Sequence, residues 1–206
     1  MELYFVRHGK TEWNKEMRLQ GRFGDSPLLK TSYQQIELLG QVLTPVDFEV
    51  CFCSPSRRAR ETAEGILTCQ KAPVPIHFEE NFRELGYGDL EGQKISTSKA
   101  RYPKALYAMR HDPSQYHPEA FHGESYVKML ERMRTVVEQA MNDYPTGPIL
   151  FVGHGASLTG CIQHLLGKPL DRLREDGGLA NNSLTILDYS KGQFKMKQWN
   201  DTSFLA

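Results

Sequence analysis

The sequence predicts an α/β fold, a three-layer α/β/α sandwich around a mostly parallel central sheet. Three observations predict it. Short apolar runs of strand length alternate with stretches whose apolar residues recur at helical spacing. The runs at 3–6, 50–53 and 149–152 are apolar at every position, as strands covered on both faces are. With 206 residues, 39% of them hydrophobic and 24% charged, the chain is long enough for one well-buried core, so a single domain over 1–206 is expected.

Residues 3–6 read as the first strand, leading directly into Arg7-His8-Gly9. Residues 32–43 read as a helix, with Ile36, Leu39 and Leu43 on one face. Residues 50–53 are the second strand. Ser54-Pro55 looks like an N-cap followed by proline at the first helical position, opening a helix through about Leu67. The stretch 70–95 is rich in Pro and Gly and reads as irregular. Residues 96–122 hold weaker helices broken by Pro103, Pro113 and Pro118. The longest helical pattern covers 124–142, with Val127, Leu130, Met133, Val137 and Met141 facing inward. A third buried strand at 149–152 is followed by a helix over 155–166, stopped by Gly167 and Pro169. Residues 183–189 and 193–199 form a closing hairpin around Lys191-Gly192.

The charges balance, 25 Lys plus Arg against 25 Asp plus Glu, which argues against a general nucleic-acid binder and against an acidic disordered chain. Cys51, Cys53, Cys69 and Cys161 form no C-x-x-C pair; they read as free thiols of a reducing compartment, and a cytoplasmic protein is expected. No apolar stretch reaches membrane-spanning length, and the N-terminus has no basic region followed by an apolar run, so no presequence is expected. His111, His117 and His122 are spaced six and five apart in a proline-broken segment, which does not match a helical zinc pair.

In open α/β sheets ligands bind beyond the carboxyl ends of strands. Here all three strand ends lead into cationic or imidazole groups: Arg7 and His8, then Arg57, Arg58 and Arg60, then His154 within Gly153-His154-Gly155. Each group alone has an ordinary structural explanation. Their joint occurrence points to a phosphoryl group, because the guanidinium fork matches phosphate oxygens and helix N-termini add N–H donors.

At this point the chain resembles the histidine phosphatase superfamily, whose founding branch is phosphoglycerate mutase. Arg7-His8-Gly9-Lys10-Thr11 resembles its signature, followed by Asn14, Gln20-Gly21 and Asp25-Ser26-Pro27-Leu28. The stretch from Ser54 to Ala63 resembles the second basic motif, in which the arginine before alanine, Arg58, is the one that matters. Glu84 matches the acidic motif, Gly123-Glu124-Ser125 opens the long helix as in the family, and Val152-Gly153-His154-Gly155 matches the second histidine motif. The motifs run in order from residue 2 to about 189.

The resemblance implies a phosphoglycerate mutase-like fold and no metal or cofactor. It implies that His8 is the nucleophile, a neutral imidazole with its other nitrogen held by a carbonyl. Arg7, Arg58 and His154 would grip the nonbridging oxygens, and Glu84 would protonate the leaving alkoxide and then activate water. That role calls for a raised Glu84 pKa in a partly apolar setting such as Tyr87 or Leu85 supplies. Asn14, Gln20, Gly21 and Gly155 would be further phosphate or substrate contacts. Lys10 and Ser32 depart from the family pattern; Lys10 either tunes substrate choice or points to solvent, and Ser32 would alter only a helix start.

Within the family, mutases resemble a longer chain with an added segment that shields the phosphohistidine from water. The interval from Gly92 to Gly123 is only about thirty residues and is rich in Tyr102, Tyr107, Tyr116 and Phe121. Residues 94–122 are therefore expected to form a short cap-like rim over the site of a phosphomonoesterase for small organic phosphates. The alternatives are a cofactor-dependent phosphoglycerate mutase, a ribazole-phosphate or sugar-bisphosphate phosphatase, and, from another class, a non-catalytic phospholigand-binding protein. The expected partner is a small phosphorylated metabolite, with neither nucleic acid nor membrane; no sequence feature sets an oligomeric state.

Overall fold

A computed structural model describes residues 1–205. Six strands form one sheet: β1 (Glu2–Arg7), β2 (Val50–Cys53), β3 (Ile76–Phe78), β4 (Ile149–Gly153), β5 (Leu184–Ser190) and β6 (Gln193–Asp201), in the spatial order β3-β2-β4-β1-β5-β6. The first four are parallel, and β5 and β6 run antiparallel at one edge. Seven α-helices accompany them among the described residues: α1 (Glu12–Lys15), α2 (Lys30–Leu43), α3 (Arg57–Leu67), α4 (Ile95–Arg101), α5 (Pro103–His111), α6 (Tyr126–Asp143) and α7 (Gly155–Leu165).

The strand period of two divides the core into two layers. Leu3, Phe5, Val50, Phe52, Ile149 and Phe151 face the layer containing α6 and α7. Tyr4, Val6, Cys51, Cys53, Leu150 and Val152 face α2 and α3. This confirms the three-layer prediction and explains the unbroken apolar runs, since neither face of these strands meets water. The four cysteines are free, as expected, and three are buried. At the closing hairpin, Lys191 and Gly192 both adopt positive φ (51° and 77°), the geometry that lets a two-residue turn follow the strand twist.

Four local expectations change. Strand β3 lies in the stretch read as irregular; three residues on an outer edge carry too little pattern to be seen. The helix after β2 begins at Arg57 with Ser56 at the N-cap, not at Ser54-Pro55. Val127 is 50% exposed rather than inward, because the buried stripe runs through Tyr126, Leu130, Met133 and Val137 with Met129, Val136 and Ala140 beside it, and Val127 lies about 100° further round the helix than Tyr126. Ser32 does more than start a helix: it is buried, and its hydroxyl donates to Lys10 O at 2.7 Å, tying α2 to the loop after β1.

No described helix is long and apolar enough to cross a membrane. The segment 94–122 folds as α4, α5 and two short 3-10 turns. Its Met109, Tyr116 and Phe121 are buried in the core, with Tyr116 edge-on to Tyr126 (centroids 5.6 Å apart).

Candidate active site

The parallel pairing of β1, β4 and β2 brings three carboxyl ends side by side. His8 N donates to Gly153 O at 2.9 Å and Ser54 N donates to Val152 O at 3.0 Å, so the residue following each strand is fixed against its neighbour. His8 and His154 thus meet with ring centroids 5.2 Å apart.

His8 is 3% exposed, and its Nδ1 lies 2.7 Å from Gly9 O. A carbonyl only accepts, so Nδ1 carries the proton and Nε2 is left with a lone pair. Burial holds the imidazole well below its ordinary pKa, and the charges of Arg58 and Arg7 reinforce this. His154, fully buried, is depressed for the same reasons: burial first, then Arg58 and His8. Its Nε2 lies 2.7 Å from the Ser54 hydroxyl, while its buried Nδ1 has no protein partner. With the hydroxyl donating to Nε2, Nδ1–H becomes a donor for a ligand.

Of the three arginines after β2, only Arg58 turns inward. Its Nη1 donates to Gly24 O (2.8 Å) and Asp25 Oδ1 (3.0 Å), and Nη2 to Gly21 O (3.1 Å); Nε is buried and unpartnered. Arg57 and Arg60 are exposed and face Glu61 and Glu64 one helical turn on. Arg7 Nη1 donates to Leu179 O, and its Nε is likewise buried without a partner. Arg7, Arg58 and His154 therefore each keep a buried nitrogen without a partner among the described residues.

Glu84, 5% exposed, follows a 3-10 turn (Glu80–Phe82), and its carboxylate accepts three backbone N–H bonds: Leu85 N and Ser157 N to Oε1 (2.8 and 2.7 Å) and Ala156 N to Oε2 (3.0 Å). Two of these donors belong to the first turn of α7, where a carboxylate is favoured. Leu85 contributes its N–H to the carboxylate, and Tyr87, the other residue expected beside it, lines the same cavity as Glu84. Arg132 on α6 holds this loop by donating to Asn81 O, Arg83 O and Glu84 O at 2.7–2.9 Å, and it makes a bidentate pair with Glu124 at 2.7 Å. Burial pushes the Glu124 carboxyl up, but Arg132 and the Gly86 N–H together hold it below the usual range.

A cavity of about 340 Å³ opens at these strand ends, at the small end of the range for ligand pockets. Of the expected site residues, Arg7, His8, Asn14, Gln20, Glu84 and Gly155 line it. Gly155 lets the Arg7 guanidinium lie close against it: a Cβ there would stand 3.1 Å from Arg7 Cζ and Nε, so the guanidinium would have to shift by a few tenths of an ångström. Gln20 is tied by Thr11 (2.7 Å) and Asp25 (3.3 Å), and Asn14 Oδ1 accepts from Thr11 N (3.2 Å) and Asn181 (3.3 Å), so both also build the loop after β1. Gly21 lies away from the lining: its carbonyl holds Arg58, and a Cβ there would press on Leu85 O at 2.8 Å. Lys10 is exposed and outside the lining. Among the described residues no cluster of His, Cys, Asp or Glu is arranged for a metal ion.

Sequence reasoning missed three things. Ser54 reads in the sequence as a helix cap, although its place just beyond β2 is a usable signal. The Glu124–Arg132 clamp and the cavity residue Arg174 left no local signal.

Comparison with known proteins shows the family. The chain matches the profile of the histidine phosphatase superfamily (branch 1) over residues 3–202. It is 27% identical over 201 residues to the uncharacterized phosphatase PhoE of Bacillus subtilis, covering 98% of this chain and 95% of that protein. It is 32% identical to the probable phosphoglycerate mutase GpmB of Photorhabdus laumondii, covering 97% and 90%. Among solved structures, YhfR of Bacillus stearothermophilus superposes with a TM-score of 0.92 at 31% identity, covering 100% of this chain and 99% of that one. A mycobacterial glucosyl-3-phosphoglycerate phosphatase in complex with VO3 gives 0.87 at 27% identity, covering 98% and 99%.

Proposed function

Because the chain belongs to branch 1 of the histidine phosphatase superfamily, we propose that it is a phosphomonoesterase for small organic phosphates, acting through a phosphohistidine on His8. The observation that supports this best is the state of His8: buried and neutral, with Nδ1–H fixed on Gly9 O and Nε2 free, in the field of Arg58 and Arg7 and with the His154 ring 5.2 Å away, while Arg58 and His154 themselves lie fully buried outside the cavity lining. Nε2 attacks phosphorus while the ester P–O bond breaks, and Glu84, which must take up a proton before this step, gives it to the departing alkoxide. Water then attacks the phosphohistidine, its proton passes to Glu84, the P–N bond breaks, and phosphate leaves with the imidazole neutral again. The unused donors of Arg7, Arg58 and His154 stabilise charge on the nonbridging oxygens in both steps.

The similarity to PhoE and to the glucosyl-3-phosphoglycerate phosphatase supports hydrolysis, and the similarity to GpmB keeps phosphoryl transfer as the second reading. The cavity favours hydrolysis, since it opens to solvent past half-buried Arg18 and exposed Arg110 and thus admits water to the intermediate. The test is an acid-quench experiment with 32P-labelled phosphomonoesters. An acid-labile label on the wild type, absent in His8→Ala, with phosphate as the main product is expected. No label at all would point to a phospholigand-binding protein, and transfer to a second substrate position exceeding hydrolysis would point to a mutase.

A further inference from the structure

His8 is oriented by one carbonyl, and that carbonyl belongs to a glycine. Gly9 O accepts the imidazole Nδ1–H at 2.7 Å, yet glycine is the residue whose backbone is least restricted by its own atoms. The direction of this carbonyl must therefore be set by neighbours. On one side, His8 N donates to Gly153 O (2.9 Å) and His8 O accepts from Asn181 Nδ2 (3.0 Å). On the other, Lys10 O accepts from Leu29 N (2.8 Å) and from the Ser32 hydroxyl (2.7 Å). Between these anchors the Gly9 N–H donates to a side chain, the hydroxyl of Thr62, at 3.0 Å.

Thr62 lies on α3 one turn after Arg58 and is fully buried. Its hydroxyl proton is committed to Arg58 O at 2.7 Å, the bond that a helical threonine can make to the carbonyl four residues earlier. Oγ1 therefore meets the Gly9 N–H with a lone pair and no competing proton. Gly9 is also closely packed, since a Cβ there would stand 3.0 Å from Ser32 Cβ and 3.2 Å from Asn182 Oδ1 and Leu28 Cδ2. The Arg58 guanidinium is held separately, by Gly24 O, Asp25 and Gly21 O, so loss of the Thr62 hydroxyl leaves it in place.

We propose that Thr62 is a positioning residue for the nucleophile: by holding the Gly9 N–H it sets the direction of the Gly9 carbonyl, which keeps the proton on His8 Nδ1 and leaves Nε2 free to attack. This rests on the phosphatase reading and goes beyond it, since Thr62 lies outside the cavity lining and acts only through Gly9.

The test compares Thr62→Val, which keeps the branched shape and removes the acceptor, with Thr62→Ser, which keeps the acceptor. Thr62→Val is expected to lower kcat about tenfold to a hundredfold, the effect of one buried donor left unpaired, with KM and the inhibition constant of inorganic phosphate changed less than about threefold. Thr62→Ser should stay within about threefold of the wild type in kcat. A merely structural role would not move the imidazole proton, so the ring nitrogens are read by 15N NMR, with His8 assigned by its absence in His8→Asn. The wild type and Thr62→Ser should show a protonated Nδ1 and a bare Nε2, and Thr62→Val should show a second population with the proton on Nε2. An unchanged kcat or an unchanged tautomer in Thr62→Val overturns the proposal, as does failure of Thr62→Ser to recover both. So does a loss of phosphate affinity as large as the loss of kcat, which would mark a collapsed site. If Thr62→Val does not fold, hydrogen exchange on the wild type decides: the Gly9 amide should be protected as strongly as the His8 amide, and fast exchange at Gly9 overturns the proposal. The tautomer and exchange measurements need no substrate. A wild type without acid-labile label would thus overturn the phosphatase reading, while those two measurements still decide whether Thr62 orients His8.

Discussion

Replacing Glu84 with glutamine separates proton transfer from architecture, and the structure sets the size of both effects. The carboxylate divides three N–H donors between two oxygens, Leu85 and Ser157 on Oε1 and Ala156 on Oε2. Glutamine has one acceptor oxygen. In its better orientation the oxygen keeps Leu85 and Ser157, and the new NH2 faces the Ala156 N–H, donor against donor. One hydrogen bond to a charged group is lost, which destabilises by about 2 kcal/mol. For a domain of this length that corresponds to a fall in Tm of about 4–8 °C. The glutamine also cannot deliver or accept the catalytic proton, so kcat should fall about 10²- to 10⁴-fold. Thermal unfolding, steady-state phosphatase assays and vanadate binding would be measured together at a temperature where the variant is folded. Vanadate binding should persist, because Arg7, Arg58 and His154 are untouched. A loss of turnover below tenfold would show that Glu84 is not the proton donor. Parallel loss of turnover and vanadate affinity would show that it merely supports the fold of the site.

Two further predictions use the buried histidines. Ser54→Ala removes the only partner of His154 Nε2 and should cut kcat/KM about tenfold to a hundredfold, with partial recovery in Ser54→Thr; an unchanged kcat/KM would mean that the hydroxyl does not set the imidazole's orientation. The second concerns acid stability. His8 and His154 titrate near 6.5 when unfolded and well below that when folded, so as the pH falls below 6.5 the unfolded chain takes up protons that the native chain refuses. Their contribution is therefore complete above about 6.5 and declines below it, by up to about 1.4 kcal/mol per pH unit for each histidine. Urea unfolding between pH 7.5 and 5.5 should show a shallower decline for His8→Asn than for the wild type, and equal slopes would contradict the assignment.

The amino-acid sequence by itself determined the layer order and the chemical cast. Apolar runs without alternation require strands covered on both faces, and in the structure residues 3–6, 50–53 and 149–152 occupy that position. His8 and His154 were identifiable from their places at the ends of strands, and Arg58 and Glu84 from the motifs by which the chain resembles its family. Tertiary structure decided what each side chain does with its donors and acceptors. Arg57, Arg58 and Arg60 are equivalent in sequence, and only packing against the 21–25 loop makes Arg58 the buried one. The Ser54 hydroxyl meets an imidazole 100 residues away, Arg132 clamps the Glu84 loop from 48 residues away, and Arg174 reaches a cavity whose other arginines lie near the N-terminus and on α5. A local pattern reports which face of an element is apolar. It carries no record of which polar atom is left without a partner, because that depends on groups brought together by the whole fold.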